Sequence, residues 1–99
     1  MTSVLNPTPL EVMLDAQGRP YFLWDVELSL PQFEAQLRHP DPATRHYWLG
    51  KLMRQAKPDD VFSFVGVADL AAAWPEVQRT LGRTRPFWEW LLRTWKAIP

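Results

Sequence analysis

Hydrophobic positions in this chain recur mostly at helical spacing, and proline and glycine cut them into short runs. Residues 1–9 hold Pro7 and Pro9 and little apolar pattern, so a flexible end is expected there and a single folded domain over 10–99. The runs LEVML and PYFLW flank the turn-forming DAQGR and allow a short N-terminal β-hairpin, with Pro20 at a strand start or edge. From Asp25 onward the spacing is helical. Ser29 and Gln32 have capping-box spacing, and Phe33 and Leu37 share the face that follows. His39-Pro40 stops this helix, because the residue before a proline avoids helical geometry. Asp41-Pro42 starts the next one, with aspartate as cap and proline in the first turn. Its stripe is Trp48, Leu49, Leu52, Met53 and Ala56.

Lys57-Pro58 ends that stripe, and Asp59 or Asp60 is expected to cap a short helix over 60–65, with a strand as the alternative. After Gly66, Leu70, Trp74, Val77 and Leu81 share one face, with Pro75 predicting two short helices or one kinked helix. Gly82 reads as the residue that closes it, and Pro86 as the first turn of a last helix, FWEWLLRTWKA. At about 100° per residue, Phe87, Ile98, Leu91, Trp95, Trp88 and Leu92 fill an arc of about 140°, and Trp90 lies on the opposite flank. That arc exceeds one core contact. Either the helix packs on two sides, or part of it is left for a partner. The expected fold is mainly α: a compact bundle of about five short helices.

Six tryptophans sharpen this picture. Trp48, Trp74, Trp88 and Trp95 fall on helix stripes and are expected in the core. Trp90 sits off-stripe among arginines. Charge is uneven although it sums to zero: residues 1–50 hold three basic groups against six acids, and residues 51–99 hold eight against five. Such polarity favours oriented docking. Arg83, Arg85, Trp90 and Arg93 are therefore the candidate partner-binding residues, for an acidic protein surface or for nucleic acid through phosphate contacts and base stacking. A helix-turn-helix over VADLAAA and PEVQRTLG is a weaker route to the second partner, because Trp74-Pro75 stands where a small turn residue is wanted. Self-association is a third reading.

Catalytic and metal chemistry are not expected. Cysteine is absent, so thiolate catalysis and cysteine-held zinc are excluded. His39 and His46 are seven residues apart across a proline break, with no third ligand in register. Ser3, Ser29 and Ser63 stand in no nucleophile motif, and the four glycines are too scattered to cradle phosphate. No cofactor is implied, and the chain reads as a non-enzyme. The start MTSVLNPTPLEVMLD lacks a basic and an apolar leader region, and no stretch reaches the ~20 apolar residues of a membrane span, so a cytoplasmic location without a membrane partner is expected. One structural pairing also follows. Asp25 trails an apolar run and Arg45 precedes the Trp48 stripe by one turn, so an Asp25–Arg45 ion pair is expected to fix the N-terminal segment.

The segments PYFLWDVELSL, ATRHYWLGKLMRQA and LGRTRPFWEWLL together resemble a group of small bacterial helical proteins with a (Phe/Leu)-Trp-Asp signature. Members are often encoded beside nucleotidyltransferases of the toxin–antitoxin type. The resemblance spans about residues 20–95, with Leu23 where the group usually has phenylalanine. It implies an antitoxin-like protein whose partner is such a nucleotidyltransferase. Trp24, Asp25 and the terminal tryptophans are the positions that correspond, with Trp24 expected to lock the signature segment down.

Overall fold

A computed structural model describes residues 5–99. The chain is mainly helical, and among the described residues there is no strand. Among the described residues six α-helices follow one another: α1 (Leu10–Met13), α2 (Leu30–Leu37), α3 (Pro42–Gln55), α4 (Pro58–Val61), α5 (Val67–Val77) and α6 (Arg85–Thr94). Short 3-10 turns cover Tyr21–Leu23, Gln78–Thr80 and Gly82–Thr84. The Cα radius of gyration is 13.4 Å, close to the ~13 Å of a single compact body of this length.

The N-terminal region departs from the hairpin pattern. LEVM forms α1 behind Pro9, and what remains of a hairpin is one antiparallel bridge, Leu14 to Pro20. Between them Asp15 accepts from the Gln17 and Arg19 N–H groups, and Gly18 takes φ +76°. Pro20 has no N–H to extend a ladder, so the chain turns into a 3-10 segment that buries Phe22 and Leu23. Residues 1–4 of the expected flexible end lie outside the described residues. Further along, Asn6 N–H donates to Asp59 at 2.9 Å and Thr8 N–H to Asp60 at 2.6 Å.

The capping signals place the middle helices. Ser29 and Gln32 form the reciprocal box, and Asp41 accepts from the N–H and hydroxyl of Thr44. On α3, residues 49 to 53 are all buried, so neighbours surround this half of the helix and it forms the centre of the fold. Trp48, half-buried, sits at the edge of that core. Gly50 lets the Gln78–Thr80 turn approach: a Cβ there would run into the Thr80 hydroxyl. Phe22, Phe33 and Phe64 pack edge-on around one point, with centroids 5.3 to 5.7 Å apart.

Pro75 neither splits nor ends α5. It lies inside the helix on an exposed position, while Leu70, Trp74, Val77 and Leu81 are buried along one face as the spacing predicts. The N–H that proline lacks is therefore missing on the solvent side. Trp74-Pro75 is mid-helix, so the residues read as a helix-turn-helix contain no turn at the join. At α6, Trp88 is buried and donates its indole N–H to the Met53 carbonyl at 3.1 Å. That carbonyl belongs to the last turn of α3, which has no helical partner of its own. One side chain thus docks α6 and completes the end of α3.

Candidate functional site

Trp88 and Leu92 define the buried side of α6, and the arc expected for its apolar residues divides. Trp90 is 60% exposed and Phe87 41% exposed, their rings 6.1 Å apart. Trp90 points away from the core because it is two residues from both Trp88 and Leu92, about 200° round the helix from each. Beside it, Glu89 joins Arg85 at 3.9 Å and Arg93 at 3.5 Å. Arg85 also donates to Gln78 Oε1, and Arg93 to the Pro99 carbonyl. Arg83 is exposed and has no partner among the described residues. The structure therefore brings Arg85, Trp90 and Arg93 together on one helix, with Arg83 just before it. It adds Phe87, which spacing alone assigned to the apolar arc.

Trp95 is a correction. Expected in the core, it is 41% exposed, resting on Phe62 with centroids 5.4 Å apart. It stands at the C-cap, Lys96 then takes φ +58°, and the turn packs Ala97 and Ile98 rather than Trp95 against the core. The bonds Ala97 N–H to Leu92 O and Lys96 N–H to Arg93 O close the helix in a Schellman motif.

The signature segment is also arranged differently from its reading. Trp24 is 69% exposed; Phe22 and Leu23 anchor the segment instead. Asp25 does not meet Arg45. It accepts from Lys51 Nζ at 2.6 Å and from the Gln55 amide at 3.4 Å, while Gln55 also donates to the Phe22 carbonyl. Lys51 and Gln55 are one turn apart on the face that meets residues 22–25. Arg45 lies six residues before Lys51, about 9 Å back along α3 and about 240° round it. Its guanidinium instead donates to the carbonyls of His39 and Pro40, at 2.8 and 3.0 Å, where α2 ends. The Lys51 ammonium bond holds the Asp25 carboxyl below its ordinary pKa against the opposing effect of desolvation.

Asp60 is a further correction. It is not a helix cap but a fully buried carboxylate. Tyr21 OH donates to it at 2.5 Å, Thr8 N–H at 2.6 Å and Thr8 OH at 2.7 Å. Burial raises its pKa, but the Tyr21 and Thr8 donors outweigh this and leave it below the ordinary value. Burial and the Asp60 charge push the Tyr21 phenol the other way, up to about 12. Tyr21 OH also accepts from Lys57 N–H at 2.8 Å. Thr8 and Tyr21 lie 52 and 39 residues from Asp60, so nothing in the local pattern signals the cluster.

His39 Nδ1 accepts from Asp41 N–H within its own turn, and among the described residues no three His, Asp or Glu side chains converge as a metal-ligand set. Among the described residues no helix is long and apolar enough to cross a membrane. The exposed aromatic and arginine face of α6 is the strongest candidate for function. Searches against protein-family models, curated proteins and solved structures find no match to this chain.

Proposed function

We propose that this chain is a non-enzymatic regulatory protein that binds a protein partner through the exposed face of α6. The observation that carries the reading is Trp90, 60% exposed beside Phe87 on a helix fixed from behind by Trp88. Exposed tryptophan and arginine on a rigid element are the side chains that most often anchor protein interfaces. Glu89 favours protein over nucleic acid. It sits between Arg85 and Arg93 and neutralises part of the charge that phosphates would need. The resemblance set out above makes a toxin-type nucleotidyltransferase the first partner to test. An antitoxin-like role in the cytoplasm is part of the same proposal.

The test is co-expression with the product of the neighbouring gene, which this proposal expects to be a nucleotidyltransferase, followed by size-exclusion chromatography and titration. A stable complex is expected. Trp90→Ala should weaken it by about 30-fold or more, as a hot spot of about 2 kcal/mol does, without changing the melting temperature. A complex indifferent to Trp90→Ala and Phe87→Ala refutes the assignment of the surface. Steeply salt-weakened DNA binding, lost on substituting Arg83 and Arg85, refutes the choice of partner class in favour of nucleic acid.

A further inference from the structure

A cavity of about 610 Å³ opens on another side of the molecule, between α2, α3, residues 63–65 and α5, and no residue of α6 lines it. Its volume lies within the ~300–1,000 Å³ typical of small-molecule sites. Leu37, Leu49, Phe64, Val65 and Ala73 give it apolar walls. Glu34, Arg38, Arg45, His46, Ser63 and Asp69 supply the polar groups. These two sets suit an amphipathic ligand, and the state of the polar groups decides its charge.

Each acid has a cation or a donor on one carboxylate oxygen: Glu34 faces Arg38 at 3.8 Å, and Asp69 accepts from Gly66 N–H at the start of α5. The two basic side chains deeper in the lining have donors to spare. Arg45 bonds the His39 and Pro40 carbonyls through Nη1 only, which leaves Nη2 and Nε without partners among the described residues. Those two bonds also fix the guanidinium in place. His46 is half-buried and makes no hydrogen bond among the described residues, though an imidazole carries at least one N–H in either protonation state. Arg45 is thus a cation fixed in place with two nitrogens free to donate, beside an imidazole with no partner among the described residues, and this pair can hold an anionic head group.

We propose that the cavity binds a small amphipathic anion, with its carboxylate or phosphate head on Arg45 and His46 and its apolar body over Leu37, Leu49, Phe64 and Ala73. A planar guanidinium suits either head group. The site is separate from the α6 face, and its ligand does not depend on the partner proposed there.

Octanoate and octyl phosphate, titrated separately, are the probes, and the imidazole resonances of the two histidines are the readout. His39 lies outside the cavity lining but its carbonyl accepts from Arg45, so its imidazole serves as a comparison rather than a silent reference. A saturable shift of His46 larger than that of His39 is expected, and the tighter of the two probes identifies the head group. Octanamide, which keeps the chain and lacks the charge, should bind at least tenfold more weakly. Ala72→Phe fills the cavity from an exposed lining position and should cost at least tenfold in affinity at an unchanged melting temperature. His46→Ala, which removes no hydrogen bond, gives a second variant read by ligand-induced thermal shift and should lower affinity likewise. No saturable shift with either anion up to about 10 mM, enough to detect millimolar affinity, overturns the proposal. Octanamide binding as tightly as octanoate overturns the anion, and binding indifferent to both variants overturns the location.

Discussion

Removing one oxygen from Tyr21 tests the account of the buried Asp60 cluster. The Tyr21 hydroxyl is the closest of the donors to Asp60, at 2.5 Å, and it also accepts from Lys57 N–H at 2.8 Å. A hydrogen bond to a charged group contributes about 1.5–3 kcal/mol, and a donor left without an acceptor adds to the loss. Tyr21→Phe keeps the ring and its packing, so a cost of about 2–4 kcal/mol is expected from these two bonds. A domain of this size has about 5–15 kcal/mol in total, so the loss should lower the melting temperature by on the order of 10 °C. Urea titration followed by tryptophan fluorescence measures it. Asp60→Asn and the double variant complete a cycle, with an expected coupling of about 1.5 kcal/mol or more. The pH profile is a separate check. Asp60 has a lowered pKa in the fold, so its contribution is present above the unfolded value of ~3.9 and is lost as pH falls through the folded one. Tyr21 has its pKa raised to about 12, so its contribution is full below pH ~10 and is lost as pH rises from there towards 12. Tyr21→Phe should lack this alkaline limb. A coupling below about 0.5 kcal/mol, or an alkaline limb that survives the substitution, refutes the reasoning.

Gly50→Ala should destabilise by about 1–3 kcal/mol, because the new Cβ meets the Thr80 hydroxyl. Gly50→Ala with Thr80→Ala should recover most of that loss in thermal denaturation. Lys96→Gly should raise stability by about 0.5–1 kcal/mol in urea titration, since lysine holds φ +58° at a Schellman position where glycine carries no Cβ penalty. Trp88→Phe removes the bond to the Met53 carbonyl and part of a side chain that is 1% exposed; a loss of about 2–4 kcal/mol in urea titration is expected.

The features legible in the sequence are those written within a few residues. Ser29 and Gln32, Asp41 before Pro42, and the face of Leu70, Trp74, Val77 and Leu81 each state a local geometry, and the structure has each of them. Pairings across the chain are not written that way. Asp25 has both Arg45 and Lys51 within α3 as candidate cations, and the choice rests on which face of α3 meets the 22–25 segment. That face follows from where Phe22 and Leu23 are buried, which one-dimensional spacing does not carry. The tryptophans divide for the same reason. A helical stripe predicts which residues look the same way, not how far along the helix neighbours extend. Trp88 and Trp95 lie about 20° apart on α6, yet one is 1% exposed and the other 41%. Trp88 faces the end of α3, whereas Trp95 stands at the C-cap and rests on Phe62, and the turn after it packs Ala97 and Ile98 against the core. Trp90 differs from both because its direction, rather than its position along the helix, keeps it from the core. An angular argument can therefore single out Trp90, whereas the exposure of Trp95 requires the lengths and placement of the neighbouring helices.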